Sequence, residues 1–285
     1  MRIKLRKFFR LAEEKAARFL MLASTLLVVS VLFSIIGSIL IKGLPSVNWE
    51  ILTSVPKGGY FFGKEGGIAN AIIGSVYLAF GATLLSLSIS LPVALFINTV
   101  LIKYGKLVHG TRFLLDLLWG VPSIVYGALG FVLMINLGLR TSLLAGIIVV
   151  AVFITPIMIR AMDEIFKTTP RGLMESSLSL GSTLYETGYR IMLKKGLPGV
   201  VTAVLLAFGR AIGDAASVLF TAGFTDNIPH SVLQPTATLP LAIFFQLGSP
   251  IVEVQNRAYA SAFVLTVIIL IISILARIIA GRHKY

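Results

Sequence analysis

Apolar residues in this chain come in runs too long for a soluble core. Crossing the hydrocarbon of a bilayer takes about 20 helical residues. Six stretches reach or approach that length with few charges: Phe19–Ile41, Ile68–Val100, Phe113–Leu137, Leu143–Ile159, Pro198–Ala222 and Tyr259–Ala280. Charged residues make up 13% of the sequence, about half of what a soluble domain carries. The fold class this implies is all-α and integral to the membrane, with six transmembrane helices.

Six crossings put both ends on one side, and the basic residues say which. With the N-terminus inside, 19 Lys and Arg fall on inner segments and five on outer ones, Lys42, Lys57, Lys64, Arg140 and Arg257. Basic residues collect on the cytoplasmic side, so the topology is N-in, C-in. The same rule explains the net charge of +13, which in a soluble protein would suggest nucleic acid. Residues 1–18 interleave seven basic residues with Leu5, Phe8, Phe9 and Leu11, an amphipathic segment suited to the inner leaflet. The run from Phe19 is too long for the apolar core of a cleavable signal. Residues 19–285 then form the transmembrane domain.

Several chemistries are excluded. There is no cysteine, and His109, His230 and His283 have no second ligand at metal spacing. The stretch GGYFFGK, residues 58–64, has the glycine and lysine spacing of a phosphate-binding loop. It lacks the following Ser or Thr and a preceding strand, and the topology puts it outside the cell. This chain therefore has no nucleotide site or cofactor of its own, and it is not expected to be an enzyme.

The one large inner loop, residues 160–197, contains TTPRGLMESSLSLGSTLYETGYRIMLKKGLPG. Thr169 and Pro170 read as an N-cap and first helical residue, and Gly181 as the left-handed residue that ends a helix. A helix of about ten residues is expected between them. Glu175, Ser176 and Ser177, then Gly181, then Ile191 resemble the EAA loop of bacterial ABC import permeases. In that family the loop forms the coupling helix that docks on an ATPase subunit. The consensus has alanines at Ser176 and Ser177, and a proline near Lys194 that is missing here; Pro198 follows instead.

The fifth apolar run carries AFGRAIGDAASVLFTAG. Arg210 lies within it, and a charge there needs a polar surrounding or a partner. Asp214 at i+4 would share its helical face, and Gly209 and Gly213 permit close approach of a backbone or ligand. Two readings stand: a charge pair that locks helices together, or an anion-binding point in a translocation path. Arg placed N-terminal to the acid is the weaker order for an in-helix bridge, which leaves guanidinium donors for an oxyanion.

This run, with GGIANAIIGS at residues 66–75 and WGVPSIVYGALG at residues 119–130, resembles the A-type permeases of high-affinity phosphate (Pst) importers. That family usually has Glu at the position of Asp214. The resemblance implies a type I ABC importer permease fold. It also implies partners: a second homologous permease, two ATPase subunits holding ATP and Mg, an extracytoplasmic phosphate-binding protein and the lipid bilayer. With that cargo the anion-binding reading puts a substrate path at Arg210 and Asp214; Asn70 and Ser123 offer either further polar contacts to the substrate or hydrogen bonds to neighbouring helices. Residue physics alone would suit sulfate or molybdate as well. An ATPase-independent channel or carrier would want ionisable relays in several spans. Asp116 is expected to pair with Arg112, and Pro92, Pro122 and Pro156 to kink their spans.

Overall fold

The structure, a computed structural model, describes residues 2–57 and 65–281, with the side chains of residues 2–12 undescribed. The GGYFFGK stretch lies outside the described residues. Among these the regular structure is helical, with one isolated antiparallel bridge between Lys57 and Glu65 and an irregular stretch at 213–238. Helix α1 spans Arg2–Gly43 and α2 Trp49–Thr53; α3 is Ala69–Thr99, α4 Gly105–Gly120, α5 Ser123–Asn136 and α6 Leu143–Lys167. On the far side of the inner loop come α7 at Arg171–Ser179, α8 at Leu184–Thr187 and α9 at Leu193–Ile212. The short α10, Leu239–Gln246, precedes α11, Val252–Gly281.

Five of these segments are long and apolar enough to cross a membrane singly, and α4 with α5 makes a sixth, bent by 89°. The bend falls at Pro122, which has no N–H to continue a helix and restricts the residue before it. Arg112 of α4 meets Asp163 of α6, Asp116 meets Arg160, Tyr126 of α5 meets Phe153, and the backbone of Gly130 approaches Val149. One antiparallel register against α6 thus runs through the break. Pro92 and Pro156 sit inside α3 and α6 without ending them.

The core is the parallel pair α3 and α6. Small residues let their backbones approach: Gly146 faces Leu78 and Gly81 faces Ile147. Ala79, Ala82, Val150 and Ile154 are fully enclosed. In contrast, the apolar stretch of α1 is exposed along its length and touches the body near its outer end, where Gly43 abuts Tyr259 and Phe263. Exposed Leu, Val and Phe on α1 and α11 are the surface a bilayer would cover.

Several expected boundaries are corrected, and the third and sixth crossings begin about two turns before their apolar runs, at Gly105 and Val252. The first apolar run and the basic segment before it form one 42-residue helix. The fourth crossing continues past Ile159 to Lys167, because Arg160, Asp163, Glu164 and Lys167 pair with one another and with α4. The fifth crossing starts earlier and ends earlier than Pro198–Ala222. It is helical from Leu184, through a π-helical turn at Gly188–Met192, to Ile212. Pro198 lies inside α9.

Candidate functional site

Arg210 occupies the last turn of α9, so it is not mid-helix, as a span of Pro198–Ala222 would have it. Its depth comes from the neighbouring helix. Gly196 packs on Phe166, Gly199 on Ile165, and the Arg210 guanidinium lies over the Phe153 ring with its carbon 5.2 Å from the centroid. This is one antiparallel register along α6. Phe153 is ten residues from the outer end of α6, roughly 15 Å at 1.5 Å per residue. That is half the thickness of a hydrocarbon core, so Arg210 lies near mid-depth although it ends its helix.

Helix α9 stops there because Gly213 and Asp214 interrupt it. Asp214 does not pair with Arg210 across a helical turn. Its Oδ2 accepts from the Ser217 backbone N–H at 2.8 Å and from the Ser217 hydroxyl, the geometry of a side-chain cap on the following turn. Residues 213–222 continue outward as turns. This unwound stretch is held by its neighbours. Gly127 of α5 lies against the Ala216 and Ser217 carbonyls, where a Cβ would stand 2.8 and 2.9 Å away, and the Ser142 N–H donates to the Thr221 carbonyl at 3.0 Å. Irregular backbone at membrane depth is tolerated where protein buries it or where it lines a cavity. Here Ser217, Val218, Thr221 and Ala222 are buried, whereas Arg210 and Gly213 are exposed. The sequence signal was present in the close spacing of Gly209, Gly213, Asp214, Ser217 and Gly223.

Ser123 and Asn70 part company. Ser123 opens α5 one turn before Gly127, at nearly the level of Tyr126, whose ring is 5.5 Å from that of Phe153. It therefore belongs to the Arg210 layer. Asn70 is the second residue of α3, buried, with its amide donating to the Thr225 carbonyl at 2.7 Å. The Thr155 hydroxyl of α6, two residues from Phe153, donates to the Ser86 hydroxyl of α3, so Asn70 lies roughly 25 Å further out along α3. It anchors the outer loop and is not near Arg210.

The inner loop forms a compact knuckle. Pro170 is the cap position of α7 and Arg171 its first helical residue, with no side-chain cap; Thr169 instead donates its N–H to the Phe166 carbonyl. The far end matches expectation. Gly181 has φ +87°, its N–H donates to the Leu178 carbonyl, and the Ser182 N–H donates to the Ser177 carbonyl. That pair of bonds is a Schellman motif. Glu175 and Ser176 point outward, while Ser177 is buried with its hydroxyl 3.0 Å from that of Thr187. Thr183 and Glu186 close a reciprocal capping box at the start of α8, so the turn after α7 is fixed at both ends.

Sequence reasoning missed the largest electrostatic feature. Asp163 is fully buried at the inner end of α6 and accepts from Arg112 through two bonds, at 2.9 and 2.8 Å. It also accepts from Asn98 at 2.9 Å and Arg160 at 2.7 Å, and Lys167 stands 3.2 Å away. Asp116 pairs with Arg160 at 2.6 Å, not with Arg112. The signal was an i, i+3, i+4 run of charges at the end of an apolar stretch. No group of three or more metal-ligating side chains occurs among the described residues.

Comparisons with known proteins agree with this geometry. Residues 90–284 match the family described as the binding-protein-dependent transport system inner membrane component. The phosphate transport system permease protein PstA of Yersinia pestis is 32% identical over 97% of this chain and 93% of its own length. A probable PstA of Methanocaldococcus jannaschii is 32% identical over 93% of each chain. Among solved structures, a chain of the MetNI methionine ABC transporter in an inward-facing conformation superposes with a TM-score of 0.61. The match covers 75% of this chain and 95% of that one, at 18% identity, a likeness of fold alone.

Proposed function

This chain belongs to the binding-protein-dependent transport system inner membrane components, and on that premise we propose that it is the phosphate-conducting permease subunit of an ATP-driven importer. The observation that carries the proposal is Arg210: a guanidinium near mid-depth, exposed at the broken end of α9, steadied by Phe153 and paired with no carboxylate among the described residues. A cation there is costly unless it meets a polar partner, and a planar fork with free donors suits a phosphate oxygen pair. The names of the PstA relatives support phosphate as the cargo.

In this reading a second, homologous permease closes the pathway against the exposed end of α9. ATP is bound and hydrolysed by two partner ATPases, and one of them grips α7 through Glu175 and Ser176. Ser177 and Gly181 keep the knuckle rigid. ATPase closure would push α7, and the continuous helix from Leu184 to Ile212 would carry that displacement to Arg210. An extracytoplasmic binding protein would deliver phosphate to the outer loops. Asp214 shapes the unwound turn beside Arg210, Ser123 offers a hydroxyl in the same layer, and Asn70 secures the outer loop.

The test is uptake of labelled phosphate into liposomes holding this chain with its second permease, ATPases and binding protein, with sulfate run in parallel. ATP-dependent phosphate uptake that disappears in Arg210→Ala is the expected result. Equal uptake by that variant removes the site, sulfate uptake in place of phosphate removes the cargo, and uptake without ATP removes the importer mechanism.

A further inference from the structure

A second basic site lies on the inner face, roughly 20 Å along α6 from the level of Arg210. It is a cavity of about 330 Å³ between α4, the inner end of α6 and the start of α7. Four basic side chains line it, His109, Arg112, Lys167 and Arg171, and no acidic one does. Arg112 and Lys167 are partly used by Asp163 and Glu164 behind the wall, yet each keeps N–H donors. Arg171 has no ion pair among the described residues, and His109 no hydrogen bond. The four basic residues together with Arg160 outnumber Asp116, Asp163 and Glu164, so the pocket retains a positive balance.

Asn98 also lines the cavity. Its amide nitrogen donates to the Ala94 carbonyl and to Asp163, but its Oδ1 is buried without a hydrogen-bond partner. That oxygen is enclosed, so the contacts a ligand could make in the cavity are with the basic side chains. A wall of cationic N–H donors with no carboxylate among the lining residues fits an oxyanion such as a phosphate group.

We propose that this cavity is a binding site for a phosphate group, either free phosphate or a phosphomonoester lipid headgroup. Bound there, it bridges Arg171, the first residue of the coupling knuckle, to Arg112 on α4 and Lys167 on α6. The inner surface would thereby sense phosphate at the element that receives the ATPase stroke. This does not depend on how Arg210 acts.

The absence of cysteine allows a site-specific test. Ile102 lines the cavity and is 46% exposed. The Ile102→Cys chain, assembled with cysteine-free partners in neutral-lipid nanodiscs, is treated with an anionic thiol reagent while inorganic phosphate is titrated. The modification rate is expected to fall at least fivefold with phosphate. Protection should persist with Arg210→Ala and vanish with His109→Gln plus Arg171→Gln. Protection that appears only when phosphatidic acid replaces part of the neutral lipid supports the site and assigns the headgroup as its source. The proposal is overturned if the thiol is unreactive or indifferent to both sources, if the double variant keeps its protection, or if Arg210→Ala abolishes it.

Discussion

The Arg210 guanidinium lies over the face of Phe153, 5.2 Å from its centroid, while Asp214, four residues on, turns its carboxylate to Ser217. The two charges thus have separate duties, and their variants should separate as well. A cation over an aromatic face gains about 0.5–2 kcal/mol. Phe153→Leu is therefore expected to raise the half-saturating phosphate concentration of the assembled transporter by about two- to thirtyfold, with Arg210 still present. Arg210→Lys keeps the charge but loses the planar fork, and should transport poorly. Asp214→Asn retains an acceptor for the Ser217 N–H and should transport nearly as well as wild type. Asp214→Ala removes the cap and should cost about 1 kcal/mol in unfolding. Side-by-side uptake and thermal unfolding of the four variants would reject this division of labour if Asp214→Asn abolished uptake as completely as Arg210→Ala.

Asp163 gathers Arg112, Arg160, Lys167 and Asn98 around one buried carboxylate. Removing that charge leaves cations crowded with one acceptor fewer, and breaking a buried ion pair from one side costs about 3–5 kcal/mol. Asp163→Ala should approach that loss. Arg112→Ala should cost clearly less, because Arg160 and Lys167 still neutralise the carboxylate. Denaturation in detergent micelles, read by loss of helical signal, gives both numbers. Equal costs would mean that the network is not centred on Asp163.

What the sequence disclosed and what it hid divide along physical lines. Bilayer crossings depend on the sum of many apolar side chains, and all six were legible, as was the left-handed turn at Gly181. Helix ends inside the membrane depend on a few specific residues. The stop at Ile212 was masked because Val218, Leu219 and Phe220 keep the run apolar after the backbone has left the helix. Partners across helices were less legible still. Asp116 was assigned to Arg112 by proximity in sequence, but the antiparallel register of α4 on α6 gives it Arg160. Asn70 looked like a substrate contact because of its polar type; its place at the outer opening of the second span was legible, but its partner, the Thr225 carbonyl in a loop 155 residues on, was not.

Asp226, in the outer loop, gives a pH prediction. Burial raises its pKa above the ordinary carboxylate value, and the nearby Arg257 offsets part of that rise. A raised pKa in the folded state means that the unfolded chain gives up the proton first as pH climbs. Stability contributed by this group is complete below the ordinary value and is lost as pH rises through the raised one. Asp226→Asn should therefore stabilise the protein at neutral pH, with the advantage shrinking as pH falls into the carboxylate range. Thermal unfolding between pH 4 and pH 7 is the measurement, and a pH-independent difference between the two proteins would count against the assignment.

Gly181 tests whether the knuckle transmits force. Its φ of +87° ends α7, and a Cβ added there would meet nothing within 4 Å. Gly181→Ala consequently has no steric neighbour to disturb, and its cost is the left-handed backbone alone, about 1 kcal/mol. Asn tolerates that conformation better than Ala, so Gly181→Asn should be the milder change. If α7 is the element an ATPase grips, Gly181→Ala should lower phosphate uptake per ATP hydrolysed in the assembled complex, and Gly181→Asn should restore most of it. The six crossings would stay folded in both variants, since the turn lies outside them. Unchanged coupling in Gly181→Ala, with the expected loss of local stability, would mean that the stroke enters the membrane domain by another route.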